Sequence, residues 1–269
     1  MSTLVPSMAN QRRRLADNLR RVRERIAEAA IRGGRRPEDV RLVAVTKAVD
    51  LEVAKLLLDL GQLDLGENRV QQLVKRASLI DEQMQRRAAA GSETFGRVRW
   101  HMIGHLQRNK VRQILPMVTL IHSMDTLRLA EEISARAEKG GQPCEVLLQV
   151  NVSGEKSKSG VPAAAAPYLI EQIASLPKLD ILGLMTMAPL VDDPEKVRGV
   201  FVRARELFEE IRAARKAGPR FTHLSMGMSN DYQVAIEEGA TLVRVGSALF
   251  EGVAPARSDH ATADADGAD

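Results

Sequence analysis

The feature that most constrains this chain is an alternation. From about residue 40 to residue 246, short apolar runs rich in β-branched residues take turns with helical patterns. The strand-like runs fall at 40–47, 63–68, 98–104, 117–124, 145–152, 179–187, 221–226 and 241–246. Helical patterns separate them at 51–61, 69–87, 107–115, 126–141, 162–176, 194–217 and 231–239. Strict strand–helix alternation predicts parallel βαβ units. Eight such units in roughly 220 residues match a closed barrel. An open doubly wound sheet is the competing architecture, but it leans on a glycine-rich phosphate fingerprint after the first strand, and none is present. The fold class is therefore read as α/β, a single (β/α)8 TIM-type barrel with an additional N-terminal helix.

That extra helix is predicted over residues 10–32. Leu15, Leu19, Val22, Ile26 and Ala30 recur at helical spacing, and Gly33-Gly34 closes the pattern. Arg12, Arg13, Arg14, Arg20, Arg21, Arg23 and Arg25 lie between the apolar positions. They read as a phosphate-binding stripe or, more simply, as the solvated face of a packed helix. The domain reading is an N-terminal extension (1–9), the barrel (10–252) and a disordered Ala/Asp-rich tail (253–269).

Composition enters as a set of exclusions. At 44% hydrophobic and 28% charged the chain is an ordinary globular one. With only 3% aromatic residues, its core is built from Leu, Val, Ile, Met and Ala. A net charge of +4 does not call for a nucleic-acid partner, and the arginine helix lacks interleaved aromatics for base stacking. The only cysteine, Cys144, excludes an internal disulfide and a cysteine-rich metal site. No apolar run approaches a membrane span, and MSTLVPSMAN lacks the basic start and apolar stretch of a secretory signal. The expectation is a cytoplasmic protein without membrane or nucleic-acid partners.

In a barrel of this kind chemistry sits at the C-terminal ends of the strands. Read in order, those ends carry Lys47, then Glu67-Asn68, His101 to His105, Ser123-Met124-Asp125, Asn151, Met185-Thr186, Ser225 to Ser229, and Arg244-Gly246-Ser247. Lys47 ends the first apolar run. A lysine there is either functional or simply solvated beyond the strand. No His/Asp/Glu set has metal-site spacing, and Ser225-Met226-Gly227-Met228-Ser229 lacks a nucleophile-elbow frame. The loops after the seventh and eighth strands, Ser225–Asp231 and Gly246-Ser247-Ala248, are small and hydroxyl-bearing. They suit a phosphate, although ordinary turns with a helix cap would look the same. A phosphate site facing a strand-end lysine suggests pyridoxal 5′-phosphate, bound as an aldimine. A lysine-dependent sugar-phosphate aldolase shares these features but needs acid/base partners not identified here.

At this point the chain resembles the pyridoxal-phosphate homeostasis family (YggS/PROSC type), which is similar in fold to the N-terminal barrel of alanine racemase. The resemblance covers nearly all of residues 10–252. It is carried by VAVTK, LGENRVQ, WHMIGHLQRNK, IHSMD, QVNVSGEKSKSGV, GLMTM and LSMGMSNDYQVAIEEGATLVRVGSALFEG. It implies that Lys47 is the aldimine lysine and that Asn68 lines the pocket. It also implies Met226 against the ring, Arg244 facing the pyridine nitrogen, and Ser229, Gly246 and Ser247 in the phosphate cup. The sequence departs from the family at Ala48-Val49-Asp50 after the lysine, and at Arg69, where an aromatic is usual. Ser247 replaces a frequent threonine, and Glu251 stands where glycine is common.

An arginine at the ring nitrogen cannot accept its proton, which weakens the ring as an electron sink. Racemisation then needs two bases on opposite faces. In related racemases the second base is a tyrosine on an additional domain from the partner subunit. Here the barrel takes up nearly the whole sequence, and Tyr168 and Tyr232 fall in predicted helices. No residue is assigned a catalytic role. The expectation is a cofactor-binding protein that buffers or delivers pyridoxal phosphate to transient recipient enzymes, as a monomer. A low-activity amino-acid racemase is the alternative, and a nucleic-acid-binding barrel the remotest reading.

Overall fold

The alternation in the sequence becomes a closed ring. The computed structural model describes residues 7–92, 96–155 and 159–253. The strands are β1 (Arg41–Val45), β2 (Asp64–Glu67), β3 (Arg99–Met102), β4 (Val118–Met124), β5 (Cys144–Asn151), a two-residue β6 (Val161–Pro162), β7 (Leu179–Met185), β8 (His223–Ser225) and β9 (Leu242–Val245). All neighbours pair in parallel in the order β4-β3-β2-β1-β9-β8-β7-β5, and β4 pairs with β5 to close the barrel. β6 is not one of the eight: it adds to the end of β5 through Val150–Val161 and Asn151–Pro162. Its two residues are too short a run to show any periodicity in the sequence.

The helices are α1 (Met8–Arg32), α2 (Leu51–Asp59), α3 (Val70–Ala89), α4 (Val111–Ile114), α5 (Leu127–Gly140), α6 (Ala166–Ile173), α7 (Arg198–Ala213) and α8 (Tyr232–Glu237). α4, α6 and α7 are shorter than their sequence patterns because each is preceded by a 3-10 turn, at Arg108–Lys110, Ala163–Ala165 and Pro194–Val197. α1 starts two residues before the predicted boundary because the Ser7 hydroxyl accepts from Asn10 N (3.3 Å) and caps it. Its five apolar positions are all buried, and it packs against α8 and α2, across the seam between the last and first units. All seven of its predicted-stripe arginines are exposed, the bland reading of that face. Most of the expected tail, residues 254–269, lies outside the described residues.

Two-residue periodicity sorts the strand side chains. Val43, Leu120, Leu147, Leu182, Met185 and Leu242 fill the barrel interior as one cluster. Alternate positions such as Leu42, Ala44, Val146 and Val243 join the larger shell beneath the helices. In that shell Phe208 and Phe221 stack with centroids 5.0 Å apart. Cys144 opens β5 as a buried residue. Burial, with Glu145 and Asp180 nearby, pushes its thiol up to about 12. Among the described residues no helix is long and apolar enough to cross a membrane.

Candidate functional site

β1 ends at Val45, so Lys47 is not a strand residue but lies in the following turn, exposed. The cause is local. Thr46 N makes the last ladder bond to β2, to Gly66 O (3.0 Å), and Val49 N then donates to Thr46 O (3.1 Å), closing a turn over Lys47-Ala48. The turn carries Lys47, Ala48 and Val49 together onto the wall of a cavity of about 770 Å³ at the C-terminal end of the barrel.

A buried clamp fixes that turn. Arg76 of α3 donates to the Thr46 carbonyl (2.8 Å), to the carboxylate of Glu67 (2.8 Å) and to the Val49 carbonyl. The Thr46 hydroxyl donates to the same Glu67 oxygen. Glu67 is fully buried. Burial raises its pKa, opposed by the charges of Arg76 and Lys47 and by the Thr46 and Arg76 hydrogen bonds. The carbonyls on both sides of Lys47-Ala48 are thus tied to one guanidinium.

Across the cavity, the loops after β8 and β9 meet on a serine. Ser229 Oγ accepts from the backbone N–H groups of Gly246 (3.1 Å) and Ala248 (3.3 Å). The Ser229 hydroxyl thus takes up both N–H groups and keeps its own hydrogen as a donor at the cavity wall. The loop needs Gly227. Its φ is +90°, and a Cβ there would lie 2.6 Å from Ala235 Cβ. Asp231 accepts from Met228 N (2.6 Å), and burial raises its pKa. On the second wall a Cβ at Gly104 would sit 2.1 Å from the Asn68 carbonyl oxygen, so only glycine admits this crossing.

Arg244 is 4% exposed. It donates to Ser225 Oγ (2.6 Å) and to the Thr186 carbonyl (3.0 Å). Burial lowers its pKa to about 10, with Asp231 opposing, so it remains a cation at neutral pH. Five N–H donors belong to a guanidinium, and these two bonds leave the others for an occupant of the cavity.

Six of the seven residues singled out from sequence line this one cavity: Lys47, Asn68, Ser229, Arg244, Gly246 and Ser247. Met226 does not. It is fully buried in the shell beneath the helices, because it takes the outward phase next to the inward Ser225. Met228 occupies the wall instead. Arg69 is exposed at the start of α3 and does not line the cavity, whereas Ala48 and Val49 do. Glu251 forms an exposed pair with Arg21 (3.2 Å). Neither tyrosine is at the cavity: Tyr168 is exposed on α6 and Tyr232 is buried at the start of α8. Sequence reasoning missed the wall formed by Met187, Pro189, Leu190 and Val191, and also Gln149, which donates to the Ser159 carbonyl (3.1 Å). Gln149 was findable as a polar residue inside an apolar strand; the loop carries no such signal.

The sequence profile for the N-terminal domain of alanine racemase matches residues 11–254. The chain belongs to this family. Among its relatives, the pyridoxal phosphate homeostasis protein of Aquifex aeolicus is 41% identical over 234 residues, covering 87% of this chain and 96% of the relative. The protein of the same name from Pseudomonas aeruginosa is 38% identical, covering 88% and 94%. The family's fold is seen again in PipY of Synechococcus elongatus, solved with PLP bound, at a TM-score of 0.73 and 30% identity over 88% of this chain and 99% of that one. Alanine racemase of Corynebacterium glutamicum, at 15% identity, has a TM-score of 0.61 over 92% of this chain and 63% of the racemase. That likeness concerns the fold alone.

Proposed function

We propose that this chain binds pyridoxal 5′-phosphate, holds it covalently through Lys47, and buffers or delivers it within the cytoplasm as a monomer. The observation that carries the reading is one cavity offering three things together: an exposed lysine amine, the small hydroxyl-bearing loops at Ser229 and Gly246-Ser247, and a buried cation at Arg244. These match the aldehyde, the phosphate and the ring nitrogen of the cofactor. Relatives named for pyridoxal phosphate homeostasis and the PLP complex of PipY support it.

The bound cofactor supplies an aldehyde that condenses reversibly with an amine, so it can be both stored and surrendered. Within this reading the chain's residues divide the work. Lys47, mounted on the clamped turn, provides the amine. Ser229, Gly246 and Ser247 hold the phosphate, Asn68 lines the wall, and Arg244 donates toward the ring nitrogen. A donor at that nitrogen disfavours its protonation, which suits retention more than carbanion chemistry.

Adding the cofactor to purified protein is expected to give a visible absorption band. Borohydride is expected to bleach it and leave the added mass on the peptide containing Lys47. A Lys47→Ala variant that keeps the band overturns the assignment. Exchange of α-hydrogen in amino acids that depends on Lys47 would replace the carrier by the racemase.

A further inference from the structure

Below the cavity, five polar side chains from five strands form a continuous row through the barrel interior. Arg244 Nη1 lies 2.6 Å from Ser225 Oγ, Ser225 Oγ 2.9 Å from His122 Nδ1, and His122 Nε2 2.9 Å from His101 Nδ1. His101 Nε2 lies 3.1 Å from the Asp64 carboxylate. Each of the five is more than nine-tenths buried. Asp64 is gripped at the far end by Arg99, through Nε (2.8 Å) and Nη2 (2.6 Å).

The hydrogens in this row have only one consistent arrangement. Arginine can only donate, and an ionised carboxylate can only accept. Asp64 is ionised: burial would raise its pKa, but the hydrogen bonds from Arg99 and His101 hold it well below the usual carboxylate range. His101 must therefore carry its proton on Nε2. Burial keeps both imidazoles neutral by lowering their pKa values. His101 Nδ1 is then an acceptor, so His122 must also carry its proton on Nε2, leaving its own Nδ1 as an acceptor. The Ser225 hydroxyl hydrogen must point to His122, and Ser225 Oγ is left to accept from Arg244.

We propose that Ser225, His122, His101 and Asp64 are positioning residues that act through Arg244, fixing its rotamer and aiming its remaining donors at the ring-nitrogen side of the cavity. This rests on the pyridoxal phosphate reading above. Charging either ring is opposed by the row itself and by its surroundings. A proton added to His122 makes Nδ1 a donor, so Ser225 Oγ must accept from both neighbours and its own hydrogen loses its acceptor in the row. The charges facing the two rings come from β1 (Arg41), β2 (Asp64), β3 (Arg99), β8 (His223) and β9 (Arg244). All but Asp64 are cations or potential cations, so they oppose that added proton.

The direct test is 15N NMR of the imidazoles in ligand-free protein at neutral pH, which does not depend on the cofactor. Both His101 and His122 are expected neutral with the proton on Nε2; a charged ring or an Nδ1-protonated ring overturns the chain. The second arm is Ser225→Ala, which cuts the row next to Arg244. It is expected to weaken pyridoxal phosphate binding by about tenfold and to shift the pH titration of the bound chromophore, while borohydride still marks Lys47. Ser123→Ala is the control, since Ser123 is a buried β4 serine whose Oγ has no partner among the described residues; it is expected to change neither. Wild-type affinity and an unshifted titration in Ser225→Ala overturn the positioning role. If the unmodified protein binds no pyridoxal phosphate, the cofactor reading fails and takes the positioning role with it, and the NMR result still decides the direction of the row.

Discussion

Arg76 and Arg244 are two buried guanidinium groups near the same cavity, used in opposite ways. On the β2–α3 side Arg76 meets the buried carboxylate of Glu67 and gives its other donors to backbone carbonyls. On the β8–β9 side Arg244 bonds only neutral oxygens among the described residues, those of Ser225 and Thr186. An arginine paired with a carboxylate is part of the frame. One held by neutral acceptors keeps its charge available to a ligand. The contrast suggests how to tell structural from functional buried cations: by what they are bonded to rather than by how deeply they lie.

Breaking the frame side has the largest expected effect. Arg76→Met leaves Glu67 without its partner and is expected to cost about 3–5 kcal/mol in urea denaturation. Adding Glu67→Gln should recover part of the loss. Arg244→Met should behave differently. It removes a buried cation without orphaning a carboxylate, so stability is expected to hold or rise, while cofactor affinity falls about 5- to 150-fold, equivalent to about 1–3 kcal/mol. Equal destabilisation by the two variants would erase the distinction.

Acid should separate the two sides by sign. His101 and His122 have folded pKa values below the ordinary 6.5. Between the folded value and 6.5 the unfolded chain binds more protons, so stability falls as pH drops through that window. The slope reaches at most about 1.4 kcal/mol per pH unit for each ring. Glu67 has a folded pKa above 4.5, so its contribution is lost as pH rises through that value and regained in acid. His223, whose pKa burial also lowers, adds a slope of the same sign, so urea midpoints across this range are compared in Glu67→Gln and in Glu67→Gln/His223→Gln; a flat profile in the double variant would remove the neutral-imidazole account. The smallest effect belongs to an arginine on neither side. Among the described residues Arg20 pairs only with exposed Asp17 and Glu24, and Arg20→Ala is expected to change stability by less than about 0.5 kcal/mol.

Much of the barrel was legible because its signal is periodic. The apolar run ending at Val45 puts Lys47 at the C-terminal end of the barrel, although the turn after β1, rather than strand phase, brings it to the cavity. Alternation along β8 places Met226, named from a resemblance, in the outer shell, since Ser225 holds the inward position. The interior row was half visible. Asp64, His101, His122, Ser225 and Arg244 are each a polar residue on the inward phase of its strand, and five such residues must find partners. Their order was not visible, because the step from Ser225 to His122 crosses the barrel interior between β8 and β4, which are not neighbours in the sheet. Nor was the Arg76 clamp: an arginine on a helix reads as solvated until the turn it grips is in place.

The buried thiol at the start of β5 has a practical consequence. With its pKa pushed up to about 12, Cys144 has almost no thiolate at neutral pH while the strand is in place, and thiol reagents attack the thiolate. As the chain's only cysteine, it serves as a native chemical clock. Its labelling rate reports how often β5 opens beside the seam that completes the ring, and a ligand that tightens the barrel should slow that clock without touching the sulfur.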